Sequence, residues 1–243
     1  YVRETNLANS SLTINTGTGN VTFNEDVGIS KAIDTLSITA NEITQTNDIN
    51  TSTALSINNS GQSTISGIIS DSGVTLTKDG SGTLTLSGNN TYTGTTTISD
   101  GTLAVTHANA LGTTDAGTTV SSGATLDIQN VAVSTEAITL NGGTVATSTG
   151  TSSLDGTVTL GDDSTFSVAG TQLSLNGIIS GAYDIEKTGT GKLVLSEDNT
   201  YSGDTTISAG ILNVTGTLAD TANVSVASGA TYDVDESDTI ASL

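Results

Sequence analysis

The 243-residue chain contains no cysteine, proline, methionine or tryptophan, and its aromatic content is 3%. Without cysteine there are neither disulfide staples nor thiolate metal sites. With so few rings, a large globular core built on aromatic packing is excluded. No apolar run approaches the ~18 residues a membrane-spanning helix needs. The chain starts at Tyr1 and shows no signal peptide; the expectation is a segment cut from something longer, with a trimmed mature protein as the alternative. Basic residues are scarce as well. Arg3, Lys31, Lys78, Lys187 and Lys192 stand against 25 acidic residues, for a net charge of −20. Nucleic-acid binding needs cations to neutralise phosphates and is excluded on that count. Docking on anionic lipid or acidic polysaccharide is disfavoured for the same reason.

What is present is β chemistry. Hydrophobic residues make up 34% of the chain, mostly Val, Ile and Leu, among abundant Thr and 28 glycines. Branched side chains suit a pleated, half-buried surface. The apolar residues recur as i, i+2 pairs, the alternation of a strand with one buried face. Examples are Leu36/Ile38, Leu55/Ile57, Leu84/Leu86, Leu103/Val105, Leu126/Ile128, Leu173/Leu175, Leu193/Leu195 and Leu212/Val214. Turn signals such as DGSG at 79–82, SDG at 99–101 and NGG at 141–143 separate them. This regularity sets the chain apart from a disordered Gly/Ser/Thr tract.

The pairs return at a near-regular spacing. Leu36, Leu55 and Val74 are 19 residues apart, as are Leu84 and Leu103, and Leu193 and Leu212, while Val158 follows Ile138 by 20. A period of 19–23 residues is one coil of a solenoid. A β-sandwich has no reason to keep such a register, and a propeller blade needs about 40 residues with an aromatic signature. The expected fold is all-β: a right-handed parallel β-helix (β-solenoid) of about twelve coils, the hand following from the crossover rule. Residues 1–243 read as a single continuous solenoid segment of a longer protein. HANALG at 107–112 is at most one turn of helix.

A longer repeat overlies the coils. NNTYTGTTTISDGTLAV at 89–105 returns as DNTYSGDTTISAGILNV at 198–214, identical at eleven of seventeen positions. GIIS occurs at 67–70 and 177–180, and SGATLDI at 122–128 matches SGATYDV at 228–234. The superunits therefore run approximately 67–128 and 177–234. The two copies of the seventeen-residue motif are 109 residues apart, about five coils, so Asn90 and Asn199 are equivalent positions rather than halves of one site.

Leu76–Val105 (LTKDGSGTLTLSGNNTYTGTTTISDGTLAV) resembles the passenger-associated transport repeat, also called the autotransporter-associated β-strand repeat. Ile185–Val214 is a second, less close copy. More loosely, residues 19–44 are similar to giant filamentous surface proteins of Gram-negative bacteria. The resemblance implies a right-handed β-helix passenger, exported across the outer membrane to the cell surface. It also implies a part for the repeat in secretion and folding. An outer-membrane translocator and the flanking parts of the same polypeptide are the implied partners. An adhesion target and self-association through solenoid ends or sides are further expectations. Residues 185–243 lack the alternating, aromatic-girdled strands of an outer-membrane barrel.

No catalytic constellation emerges, and no catalytic, cofactor-binding or metal-ligating residue is assigned. His107 is the only histidine and follows a strand in a loop. Asp162/Asp163 and Glu197/Asp198 are carboxylate pairs a glycosidase could use, but neighbours on a strand point to opposite faces and turn carboxylates are usually solvated. DVDESD at 233–238 places Asp233, Asp235, Glu236 and Asp238 at calcium-like spacing but without a glycine turn, so a solvated acidic edge is the reading taken and a calcium site the alternative. T-x-T pairs such as Thr75/Thr77 and Thr95/Thr97 suggest an ice-binding ladder that is not sustained. Asn90/Asn199 and Tyr92/Tyr201 read as corner and coil-closing residues, and Gly94/Gly203 and Gly101/Gly210 as positions of positive φ. The function expected is a non-enzymatic, extracellular stalk or passenger supporting adhesion and its own secretion by vectorial folding. A calcium-dependent S-layer or matrix protein is the alternative, and a β-helix glycosidase a more distant one.

Overall fold

The structure, a computed structural model, describes residues 10–219, 222–235 and 241–242. Arg3 lies outside the described residues, as do Glu236 and Asp238 of the acidic run. The chain divides into two compact units, Tyr1–Thr118 and Thr119–Leu243, and each is a stack of parallel β-coils. Among the described residues there is no helix; the segment 107–111 is a turn.

In the first unit one face is built from Leu12–Asn15, Ile33–Ala40, Ile49–Asn59, Thr75–Asp79 and Thr96–Ile98. A second face is built from Val21–Phe23, Ile43–Gln45, Gln62–Ile65, Thr83–Leu86 and Thr102–Val105. A short third edge pairs Ile49–Asn50 with Ile69–Ser70 and bridges Val27 to Ile49. The eleven-residue strand Ile49–Asn59 serves both the third edge and the first face.

The second unit has three regular faces. Ile138–Asn141, Val158–Asp162 and Ile179–Gly181 form one of them. Thr125–Ile128, Thr144–Thr147, Ser164–Val168, Ile185–Thr188, Thr205–Ile207 and Val224–Val226 form another. The last holds Ala132–Val133, Thr151–Leu154, Gln172–Leu175, Lys192–Leu195, Ile211–Val214 and Thr231–Val234. Among the described residues there are five turns in the first unit and six in the second, in line with the expected stack of about twelve coils.

Register follows the apolar pairs. Leu36 lies beside Leu55, Leu84 beside Leu103, Ile138 beside Val158 and Leu193 beside Leu212. The coil after Leu55 is longer, at 21 residues: Leu55 is paired with Leu76 rather than with Val74, within the expected 19–23. The turn Asp71–Ser72–Gly73 adds two residues to that coil, so 19 is not a constant and the strand resumes later. The inward residues of these strands are fully buried; Leu36, Leu55, Leu76, Leu84, Leu103, Leu193 and Leu212 all have no exposed surface. Each such side chain contributes roughly 1.5–3 kcal/mol on burial. That burial is complete only once the next coil is in place, which makes stability a nearest-neighbour property.

Close stacking shapes the corners. A Cβ at Gly67 would lie 1.7 Å from the Asn47 carbonyl oxygen, and one at Gly177 would lie 2.2 Å from that of Gly156. Only glycine admits the next coil there. Gly101 and Gly210 have positive φ as expected, but Gly94 and Gly203 do not. Those two are required by space: a Cβ would meet Val74 O at 2.3 Å and Tyr183 O at 2.1 Å.

Asp71 holds φ at 115°, a conformation that suits glycine, and the corresponding position after the second GIIS is Gly181 at φ 129°. The strain of a side-chain-bearing residue there costs on the order of 1–3 kcal/mol. Asp71→Gly is expected to stabilise the chain by about 1 kcal/mol, part of the relieved strain being offset by the greater freedom of glycine in the unfolded state. Urea denaturation of parent and variant checks this.

Candidate functional site

The repeated motif builds the same constellation twice, and each is completed within its own unit. Tyr92 and Tyr201 have no exposed surface, and their hydroxyls lie 2.7 Å from the Oγ1 of the buried Thr96 and Thr205. The ring closes the coil while the hydroxyl keeps a polar partner inside it.

Asn90 works between coils. Its Oδ1 accepts the Ile69 N–H at 2.8 Å from the preceding coil, and its Nδ2 donates to Ala110 O at 2.6 Å on the following one. Asn199 accepts the Ile179 N–H at 2.9 Å and donates to Glu197 O at 2.7 Å and Thr217 O at 3.3 Å. Both amides are nearly fully buried. A corner that would strand backbone groups is satisfied by one side chain instead.

Sequence reasoning missed the lysines. Lys78 and Lys187 have no exposed surface and occupy core positions otherwise held by apolar residues. Lys78 stands in register between Ile57 and Ile98, and Lys187 between Phe166 and Ile207. Each ammonium reaches the turn and donates to three carbonyls. Lys78 Nζ reaches Asp79 O (2.9 Å), Gly80 O (2.6 Å) and Asp100 O (3.1 Å). Lys187 Nζ reaches Thr188 O (2.8 Å), Gly189 O (2.8 Å) and Ala209 O (3.0 Å). Two acceptors lie in the lysine's own turn and the third in the next coil. The signal was available: Lys78 is two residues after Leu76 and Lys187 two after Ile185, so alternation already points both inward.

Burial pushes both ammonium groups down to about 8; at Lys78 the Asp100 and Asp79 carboxylates pull the other way without prevailing.

The acidic residues also have structural work. In the second unit Asp163 Oδ1 accepts the Asp184 N–H (3.0 Å), and Asp184 Oδ1 accepts that of Asp204 (2.7 Å). Asp204 Oδ1 in turn takes the Asn223 N–H (3.2 Å) and Nδ2 (2.7 Å). In the first unit Asp26 accepts the Asp48 N–H (2.9 Å) and Asp48 that of Ile68 (2.8 Å). Carboxylates one coil apart thus cap backbone amides of the next coil.

The enzyme-like candidates do not converge. Asp162 Oδ1 accepts the Asp163 N–H (2.9 Å), and Asp198 Oδ1 accepts the Thr217 hydroxyl (3.2 Å); all four paired carboxylates are exposed. His107 is half-buried, and its Nδ1 accepts the Asn109 N–H at 3.1 Å within the turn. Among the described residues, no three His, Asp or Glu side chains are placed to hold a metal ion. The Thr75/Thr77 ladder is short: Thr77 lies beside Thr97 on one side but Ser56 on the other, and Thr75 lies beside Ala54.

The lysines carry a pH dependence with a definite sign. A folded-state value near 8 against an ordinary 10.5 means the folded chain sheds these protons first as pH rises. Stability therefore increases from about pH 8 to about pH 10.5 and is flat on either side as far as these two groups are concerned. The double variant Lys78→Met/Lys187→Met loses that increase. Urea denaturation of parent and variant across the window measures the difference.

Comparison with known proteins places this geometry. The Passenger-associated-transport-repeat family model matches residues 76–105 and 185–214, the two constellations just described. The chain is similar to the adhesin BmaC autotransporter of Brucella suis biovar 1 (strain 1330), at 37% identity over 131 residues. That stretch is 52% of this chain and 4% of the adhesin, so the chain spans only a small part of that relative. No solved structure matches. Residues 76–105 and 185–214 are two passenger-associated transport repeats, set in a β-solenoid similar to part of an autotransporter adhesin.

Proposed function

We propose that the chain is a non-enzymatic length of an adhesin-type passenger. It is carried across a Gram-negative outer membrane by a translocator and displayed at the cell surface. Its two repeats drive coil-by-coil folding outside the membrane. Likeness to an autotransporter adhesin supports the passenger reading. The observation that carries the folding role is the placement of Asn90, Lys78 and their counterparts. Each is anchored in its own coil and presents hydrogen-bonding groups to a neighbouring one.

In vectorial export the chain arrives unfolded and in order. A coil that has already formed offers the next one an apolar face, a row of backbone partners and, at the repeats, a waiting amide and ammonium. Each added coil buries aliphatic pairs and makes return costly, so stacking itself biases movement outward. The strong negative charge works in the same direction, because it discourages strand edges of neighbouring molecules from annealing. Holding adhesive regions away from the cell is then a mechanical task that needs no catalytic group.

Removing the Asn90 side chain strands the Ile69 N–H and the Ala110 carbonyl, at about 1–3 kcal/mol for each buried group. The double variant Asn90→Ala/Asn199→Ala, carried in the full-length protein, is expected to lower surface display several-fold at unchanged synthesis. Protease accessibility of the passenger on intact cells reads this. Unchanged display of a variant shown to be less stable in isolation would contradict the folding role.

A further inference from the structure

We propose that Lys78 and Lys187 set the stacking register of the transport repeats: each buried ammonium selects the one alignment in which the next coil's turn brings it a third carbonyl. The positions do not need a lysine for packing. Their in-register neighbours are Ile57 and Ile98 in one repeat and Phe166 and Ile207 in the other, so an apolar side chain suits the column. A charged group there carries a desolvation cost that an aliphatic residue avoids. Something other than burial is gained, and the hydrogen bonds show what it is.

An ammonium has three donors. Two are taken by the turn that follows the lysine: Asp79 and Gly80 in the first repeat, Thr188 and Gly189 in the second. The third is met only by Asp100 or Ala209, contributed by the coil still to be added. The approach that allows this is itself restricted to glycine. Gly101 and Gly210 have positive φ, and a Cβ on either would lie 2.4–2.5 Å from carbonyl oxygens of the turn below. Lysine, turn glycines and the following glycine are therefore one device, which explains why they recur together in both copies.

Register needs such a device at this point. The incoming strands Thr96–Ile98 and Thr205–Ile207 are three residues long and bury only a threonine and an isoleucine each. A slip of one residue would expose the isoleucine and is excluded by the hydrophobic pattern. A slip of two keeps the alternation: Ile98 would move beside Leu76, or Ile207 beside Ile185, and remain in apolar company. What that slip loses is the third carbonyl, because Asp100 or Ala209 moves away from the ammonium. Apolar burial discriminates poorly between the two alignments, and a buried cation lacking an acceptor discriminates sharply. A polar core residue that fixes alignment at some expense of stability has its best precedent in coiled coils.

The chain has no cysteine, so engineered pairs report register without background. Thr77 lies beside Thr97 in the observed alignment, and a slip of two would bring Thr77 beside Ser99. In the parent background, Thr77→Cys/Thr97→Cys is expected to cross-link under mild oxidation and Thr77→Cys/Ser99→Cys is not. With Lys78→Met added, the slipped pair is expected to gain cross-linking several-fold at the expense of the native pair. The melting temperature near pH 7 should meanwhile stay level or rise. Thr44→Cys/Thr64→Cys, in register in the same unit, monitors folding of the variant. Native-only cross-linking in the Lys78→Met background would overturn the proposal. So would loss of the Thr44/Thr64 cross-link or a clear fall in melting temperature, since either would make the lysine a plain stabiliser.

Discussion

Each coil in this protein is incomplete by itself. Its strands have one buried face and two hydrogen-bonding edges, and both edges are satisfied only by the coils before and after. Backbone donors that must find partners, in a chain whose coils stack one strand spacing apart, about 4.8 Å, leave little freedom at the corners. The glycines at 67, 88, 156 and 177 follow from that spacing, because a Cβ at any of them would enter the preceding coil's backbone. The Asp163–Asp184–Asp204 series and the asparagines answer the same demand with side chains where backbone pairing lapses.

The transport repeats are the places where this demand is met most densely. Within one coil a tyrosine fills the interior and holds a threonine, an asparagine spans the corner, and a lysine runs through the core to the turn. The asparagine and the lysine differ from ordinary core residues in depending on the neighbouring coil for part of their hydrogen bonding. A fold in which each coil completes its neighbour gains from side chains whose satisfaction requires the correct neighbour.

Much of the architecture was legible from alternation. Leu84/Leu86, Leu103/Val105, Leu173/Leu175 and Leu193/Leu195 are buried as their spacing requires. What was not legible has particular causes. Which residue of the Val74/Leu76 pair lies beside Leu55 is set by the turn Asp71–Gly73, and sequence distance does not distinguish turn residues from strand residues. Gly94 and Gly203 were assigned a dihedral role, whereas the constraint on them is a carbonyl in another coil, invisible in local sequence. At Lys78 and Lys187 charge argues for the surface and the phase of Leu76 and Ile185 for the interior, and both side chains are buried. The aspartate series, with its spacing of 21 and 20 residues, does not stand out among many exposed acids.

The central claim is that neighbouring coils are coupled through the side chains of the repeats, with stability passing from coil to coil. Native-state hydrogen exchange of the Asn90→Ala variant tests it most directly. The account predicts that the Ile69 amide and the coils flanking residue 90 lose protection, while amides of coils farther along the same unit, such as Leu36 to Ala40, keep theirs. Uniform loss of protection throughout the unit, or none at all, would contradict it.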